Sequence, residues 1–503
     1  MKAKPFEKKK ILWPEIAILF LILASAVIIR VPYLSEPFEA EQASYAYISN
    51  NWGDGTVPYR DYWDNKPPLI YIFYRLVCAF LGYSERGIHL GFVFLSAATI
   101  LFFYGLSRRL FSRGFALIST FLYGIFSAGA LISGTFAVPE NLEVFFVIAG
   151  IYYFWDGCER QKNNRFFIAG VFMGLALMTK QAAVWQITAL ILFFVLTGLR
   201  STTFMLVGWR LILFSFGSVL MPLFFILLFA GLGSAAEFFN CVFIYNLFFG
   251  RLGYIREGFF NLWKALSWTP RENFLLWVFA MLGTIIAFSK RERKTLLIIL
   301  WICAVVLGLA SSVRFYPHYF ILAIPVLVIL AVYFFQIVWD LPGIRGKFLS
   351  LIFISVTVCC FSAEQWNWWF LYTPFESLIK RRGAFARPEL YGSREEASAY
   401  IKSRTNAEDA VYVWGLWPEV YYGSRRKAPT KYFYLPSRGS LVGKFREVVQ
   451  TQVYYDMLRN PPKYIIVDGY FEDLIGQSMQ RYINSSYALV KKGDGYWILR
   501  RKF

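Results

Sequence analysis

Charge is scarce in this chain of 503 residues. Asp, Glu, Lys and Arg together make up 17%, against about 25% in a soluble domain. Hydrophobic residues reach 57% and aromatics 20%, and the mean hydropathy is +0.46. These values exclude a soluble enzyme, a disordered chain and a fibrous one. Histidine is nearly missing: His89 and His318 are the two present. The six cysteines lie in or beside apolar runs and show no CxxC spacing, which argues against a disulfide framework or a zinc knuckle. Neither a Walker A loop nor a GxSxG elbow occurs. Acidic residues are fewer than basic ones, 32 against 52, for a formal charge of +20. Nucleic acid is not the implied partner, because Lys and Arg sit in short clusters between apolar runs rather than on one soluble face.

Those apolar runs are the abundant feature. A bilayer core takes about 20 apolar residues per helix. Runs near that length begin at about Ile11, Ile88, Phe115, Asn141, Phe166, Ala183, Leu211, Phe274, Thr295, Tyr319 and Phe348. The expectation is a mainly α, polytopic membrane protein with about 11 transmembrane helices. The first run lacks a small-residue cleavage site and reads as a span rather than a removed leader. Taking the lysine-rich N-terminus (Lys2, Lys4, Lys8, Lys9, Lys10) as cytoplasmic brings the basic loops to one side. These loops hold Arg108, Arg109 and Arg113; Arg160, Lys162 and Arg165; Arg200 and Arg210; Lys290, Arg291, Arg293 and Lys294; and Arg345 and Lys347. That placement follows the positive-inside rule and predicts an inner-membrane protein with its C-terminal domain outside.

Three segments fall on the predicted outer side. One is a first loop over 31–86, whose stretch Leu69 to Leu81 is too short to span and reads as an interfacial helix. The second is Leu232 to Glu272. The third is the tail, where the expected domains are a membrane module over 1–364, a linker over 365–390 and a small α/β domain over 391–503. Ser393 with Glu396 forms a capping-box pattern for a helix through Ile401. Ala410 to Trp414 and Lys463 to Val467 read as short buried strands. Tyr487 to Lys491 and Tyr496 to Arg500 flank Gly493-Asp494-Gly495 as a hairpin.

Residues able to do chemistry concentrate on the outer side. In "SEPFEAEQASYAY" (35–47), Glu41 opens a helical stretch with Tyr45 one turn on; a carboxylate on the first turn of an interfacial helix is positioned to act as a general base. In "VPYRDYWDNKPPLIY" (57–71), Pro67 and Pro68 can begin a helix but not sit inside one. Lys66 therefore stands at a helix N-terminus, a site that attracts anions, with Tyr59 and Asp64 nearby. Glu140 follows Pro139 at the start of the fourth span. Lys180-Gln181 interrupts an apolar stretch, where a lysine is costly. The short turn "VRFYPHY" (313–319) gathers Arg314, Tyr316, His318 and Tyr319, and arginine suits phosphate by its bidentate geometry. With no soluble nucleotide-binding domain, a lipid-phosphate donor fits a site at the bilayer edge.

These segments resemble a known group. The string "AEQASYAYISNNWGDGTVPYRDYWDNKPPLIY", followed in order by "PENLEVFF", "GLALMTKQ" and "RFYPHYF", is similar to the family 39-like membrane glycosyltransferases of the GT-C fold. That group includes lipid A aminoarabinose transferases, protein O-mannosyltransferases and rhizobial galacturonosyltransferase-like proteins. The resemblance covers about residues 12–340. It implies transfer of a sugar from a polyprenyl-phosphate donor to an acceptor at the extracytoplasmic face, with inversion; the acceptor is a glycolipid, a wall polymer or a protein. The family usually carries Asp-Glu where this chain has Glu41-Gln42. The resemblance makes Glu41 and Glu140 the catalytic carboxylates and Lys66 and Arg314 the donor-phosphate ligands. Tyr45, Tyr59, Asp64, Lys180, Gln181, Tyr316, His318 and Tyr319 become pocket candidates, and a divalent metal on Glu41 and Glu140 an optional cofactor. Two other classes stay open on sequence: a transporter or lipid-carrier flippase, and a non-catalytic scaffold, for which Gln42 is the best argument.

Overall fold

The computed structural model describes residues 12–502, except 54, 199–203, 250–257, 291, 312, 375, 378–379, 381–389 and 436–442. The N-terminal lysines, Arg200 and Arg291 lie outside the described residues. In chain order the helices are α1 (Trp13–Ile28), α2 (Ala40–Asn51), α3 (Leu69–Leu81), α4 (Glu85–Leu110), α5 (Arg113–Phe126), α6 (Pro139–Arg160), α7 (Asn163–Leu177), α8 (Val184–Gly198), α9 (Phe204–Gly231) and α10 (Ala235–Phe239). A π-helical segment, Asn240–Phe249, follows. Then come α11 (Gly258–Ser289), α12 (Arg293–Ser311), α13 (Ile324–Trp339), α14 (Ile344–Trp366), α15 (Leu390–Arg404), α16 (Glu419–Ser424), α17 (Gly443–Arg459) and α18 (Gln477–Ser486). The strands are β1 (Val411–Trp414), β2 (Tyr464–Asp468), β3 (Tyr487–Gly493) and β4 (Tyr496–Arg501).

Each of the eleven predicted apolar runs is helical. Among the described residues seven stretches are long and apolar enough to cross a membrane: Trp13–Ser35, Glu85–Leu110, Gln181–Gly198, Met205–Gly231, Arg293–Ser311, Pro317–Trp339 and Ile344–Leu371. The other four fall short for local reasons. Arg113–Phe126 and Asn273–Ser289 are short apolar helices, the latter set off inside α11 by the non-helical backbone of Asn273. Asn163–Leu177 has 15 residues, and Pro139–Arg160 carries Glu140, Glu143, Asp156, Glu159 and Arg160. Apolar side chains such as Phe20, Phe216 and Phe288 point outward, which is tolerable in a lipid solvent and costly in water. The protein is a multi-pass membrane protein.

The chain divides into two compact units. Unit 1 comprises 1–35, 86–224 and 258–374. Small residues let its helices approach closely: a Cβ on Gly170 would run into the Phe214 carbonyl, and one on Gly217 into that of Phe167, so α7 and α9 meet backbone to backbone. At one end the short basic loops come together. Glu15 accepts Arg108 at 2.6 Å and Arg113 at 3.3 Å, while Asp156 holds Arg109, Arg160 at 2.7 Å and Arg165 at 3.1 Å.

Unit 2 comprises 36–85, 225–257 and 375–503, so the first loop and the tail share one core. Trp63 N–H donates to the Lys431 carbonyl at 2.9 Å, and Tyr47 Oη accepts from Ala428 N–H at 3.0 Å. The Tyr47 ring packs 4.7 Å from Phe433 and 5.1 Å from Tyr421. A helix stands where the sequence placed one. Ile70, Tyr71, Tyr74 and Val77 of α3 are buried, whereas Leu76 and Phe80 are exposed.

The tail sheet has the order β1-β2-β4-β3, with β1 and β2 parallel and the remaining pairs antiparallel. The predicted strands and hairpin are present. Gly495 turns the hairpin at φ +71°, a left-handed conformation that glycine adopts freely. One local reading is corrected: Ser393 does not cap its helix, which already begins at Leu390. Its hydroxyl donates to the Asp494 carbonyl at 3.1 Å, and Glu396 is drawn to Lys491 (2.6 Å) and Tyr496 (2.8 Å). The tertiary partners on the hairpin replaced the local cap.

Candidate active site

The sequence-predicted residues fall into two groups, one per unit. In unit 2, Glu39 in extended conformation precedes α2, and Gln42 Oε1 accepts the Glu39 N–H at 3.2 Å. A glutamine serves such a capping contact as well as a glutamate, so Gln42 has a structural task of its own. Glu41 lies on the first turn, its side chain 41% exposed. Tyr45 Oη donates to Glu41 Oε2 at 3.3 Å, and Lys66 Nζ stands 3.8 Å from Glu41 Oε1. The lysine is the more enclosed partner, at 15%.

Lys66 is fixed through its backbone. Pro68 is the N-cap of α3. On the N–H side, Asp64 Oδ1 accepts from Asn65 N–H at 2.6 Å and Lys66 N–H at 3.3 Å. On the carbonyl side, Tyr59 Oη donates to the Lys66 oxygen at 2.9 Å. Tyr59 is fully buried and holds φ +72°, an uncommon backbone for a non-glycine residue. Burial pushes its phenol well above the ordinary value, and Asp64 adds to the rise. Asp64 is itself buried, and that burial, partly offset by Lys66, raises its carboxyl to about 6.

In unit 1, Pro139 starts α6 from the extended Val138, placing Glu140 in the first turn. Its carboxylate is fully buried. Oε1 receives Lys180 Nζ at 2.5 Å, and His318 Nε2 lies 3.7 Å away, beyond hydrogen-bonding range. Lys180 follows the end of α7, in extended conformation, and its ammonium stands 3.5 Å from the centre of the Tyr319 ring. Cation–π attraction adds to the ion pair there. His318 stacks on Tyr316 at 5.7 Å and meets Tyr319 edge-on at 4.7 Å. Gln181 opens the short 3-10 turn after Lys180. Arg314 is half-buried between Val313 (φ +59°) and Phe315 (φ +50°). Both neighbours hold a left-handed backbone that is uncommon for non-glycine residues.

Among the described residues no three His, Cys, Asp or Glu side chains gather to hold a metal ion, and the Glu140 oxygen already faces an ammonium. Two polar residues outside the predicted site set, Glu143 and Asn246, lie beside these groups. Glu143, one turn after Glu140, is fully buried with both carboxylate oxygens lacking a hydrogen bond; its i, i+3 spacing from Glu140 was the available signal. Asn246 donates to the Asn65 carbonyl at 2.9 Å and accepts from Asn65 Nδ2 at 3.0 Å, and a lone amide within an apolar run could have drawn attention to it.

Residues 65–226 match the family model described as dolichyl-phosphate-mannose-protein mannosyltransferase. An uncharacterized protein of Aquifex aeolicus (strain VF5) is 31% identical over 133 residues. That match spans about a quarter (26%) of each chain. ArnT from Cupriavidus metallidurans superposes in its apo state with TM-score 0.60 at 15% identity, over 96% of this chain and 98% of that one. Its undecaprenyl-phosphate-bound form gives 0.56 at 14%, over 96% and 97%. The oligosaccharyltransferase of Archaeoglobus fulgidus, tethered to an acceptor peptide, gives 0.56 at 13%, over 99% and 74%. The chain therefore has the GT-C fold of polytopic membrane glycosyltransferases, and its residues 65–226 carry the sequence pattern of the dolichyl-phosphate-mannose-protein mannosyltransferase family.

Proposed function

We propose that this chain is a membrane glycosyltransferase that moves a sugar from a polyprenyl-phosphate carrier to a hydroxyl of a cell-envelope acceptor. The reaction is a single displacement with inversion. Glu41 takes the acceptor proton. The acceptor oxygen bonds to the anomeric carbon as the bond from that carbon to the phosphate oxygen breaks. The polyprenyl phosphate leaves with the electron pair, and Lys66 meets the charge that develops on it. Preorganised charge of this kind is a large term in transfer catalysis, and a positioned general base contributes about 10²–10⁴-fold.

The observation that carries this reading is the open Glu41–Lys66 pair. The carboxylate is accessible, the ammonium lies 3.8 Å away, and buried Tyr59 and Asp64 grip the lysine's own peptide groups. A pair at that distance can part to admit an anion and a hydroxyl. Within unit 2, Tyr45 is proposed as a pocket residue beside Glu41. Within unit 1, Arg314 is proposed as an anion ligand on its guanidinium chemistry, and Glu140 as a positioning group for Lys180 and His318 beside Gln181, Tyr316 and Tyr319. The lipid-phosphate donor class is supported by the undecaprenyl phosphate and dolichol-phosphate held by the structural neighbours. The proposed location is the inner membrane, with the N-terminus cytoplasmic and the reaction outside.

The test is reconstitution of the purified protein in liposomes with polyprenyl-phosphate sugars and extracted envelope acceptors. The expected result is stoichiometric release of polyprenyl phosphate with a new glycosidic bond. Movement of the lipid across the bilayer without such a bond would favour a flippase. Mass spectrometry of envelope glycolipids and glycoproteins from a deletion strain identifies the acceptor.

A further inference from the structure

The basic end of unit 1 contains a cavity that the proposed reaction does not use. It is a partly open cavity of about 90 Å³, room for a few water molecules or one phosphate group and not for a whole lipid. Phe166, Phe193, Phe194 and Val207 give it apolar walls, and Arg210 and Arg293 supply its charge. Cys158, near the C-terminal end of α6, also lines it. Glu140 is at the other end of that helix, 18 residues away, or roughly 27 Å at the helical rise.

Arg210 is the informative residue. It is 8% exposed, yet its partners are neutral: Nη1 donates to Gln161 Oε1 at 2.8 Å and Nε to Asn163 Oδ1 at 3.1 Å. Its neighbours at this end are arranged differently. Arg108 pairs with Glu15, and Arg109 with Asp156 and Glu159. The nearby carboxylates are thus committed to other cations, and among the described residues no ion pair neutralises Arg210 or Arg293. A buried arginine at the edge of a membrane is costly without an anion. Basic pockets between transmembrane helices characteristically take lipid phosphate head groups. Here the two guanidinium groups suit the phosphate, and the acyl chains stay in the bilayer outside the cavity.

We infer that this cavity is a second binding site, separate from the catalytic groups, for the phosphate of an anionic phospholipid. Arg210 grips the phosphate at the floor and Arg293 draws it in at the exposed mouth.

Cys158 provides the readout. The full-length protein is placed in nanodiscs of phosphatidylcholine alone or with phosphatidylglycerol, and its thiols are alkylated and mapped by peptide mass spectrometry. A membrane-permeant alkylating reagent is used, because the reference thiols Cys303, Cys359 and Cys360 face outward on apolar, membrane-spanning helices. Phosphatidylglycerol is expected to slow alkylation of Cys158 roughly ten-fold, the protection given at about ten times the dissociation constant, with the reference thiols unchanged. A third arm adds soluble glycerol phosphate to phosphatidylcholine discs; protection there would support the anion site and reassign its source to a free phosphate ester. Arg210→Gln should weaken the protecting ligand roughly ten-fold or more, as expected for loss of a charged hydrogen bond. Arg293→Gln, on the exposed rim, tests the same site where folding is not at stake and should weaken it by a few-fold. Equal Cys158 alkylation in all three media, or full protection retained in both variants, would overturn the assignment.

Discussion

The two units each hold a lysine–carboxylate pair, and the pairs differ. In unit 1, Lys180 and Glu140 meet at 2.5 Å with the carboxylate 1% exposed. In unit 2, Lys66 and Glu41 are 3.8 Å apart with the carboxylate 41% exposed. Both join an acid on the first turn of a helix to a lysine at a chain break. The first is closed, with the ammonium also covered by the Tyr319 ring; removing either partner strands a charge. The second is longer, with an open carboxylate and an enclosed ammonium. Such a pair leaves its acid accessible, as the proposed chemistry requires.

The comparison can be broken most forcefully at the closed pair. Glu140→Gln leaves the Lys180 ammonium without its carboxylate and should cost about 3–5 kcal/mol, the usual penalty for breaking a buried pair. Thermal unfolding in detergent measures it, and Glu140→Gln/Lys180→Met should recover much of the loss. At the open pair, Lys66→Met should lower the melting point less than Glu140→Gln does. It should slow transfer by roughly 10²-fold, comparable to removing one preorganised electrostatic contact. A large drop in stability with unchanged transfer would reverse the roles of the two pairs.

A finer test concerns Asp64. Burial raises its carboxyl from 3.8 to about 6, so the folded protein holds a proton that the unfolded chain releases at lower pH. The Asp64 contribution to stability must therefore fall as pH rises from about 4 to about 6 and stay flat above. In Asp64→Asn that fall should vanish. The wild-type minus variant difference in melting temperature across this window checks the sign. A difference that grows more favourable to wild type with rising pH would mean the buried carboxylate is better compensated than its surroundings indicate.

Much of this was legible before any coordinates, and the reason is periodicity. Apolar runs, the short helix from Leu69 to Leu81, the tail hairpin at Gly493-Asp494-Gly495 and the Lys66-Pro-Pro start of α3 are all set by local rules. The pairing of Glu41 with Lys66 was foreshadowed by their shared loop. What sequence could not give were the non-local partners. Nothing in "PENLEVFF" names Lys180 as the Glu140 partner, 40 residues on. Nothing in the tail composition announces that Tyr47 and Trp63 of the first loop would sit in its aromatic core. The Ser393 cap failed for the same reason, a local pattern outcompeted by a hairpin about 100 residues away.

The most direct test of the open pair is single-turnover release of polyprenyl phosphate by wild type and by Glu41→Gln, whose amide keeps the size and exposure of the acid but cannot take a proton. The account predicts an unchanged melting point, unchanged donor binding, and a rate lowered by about 10²–10⁴-fold. Release at the wild-type rate would contradict it and remove Glu41 from the chemistry.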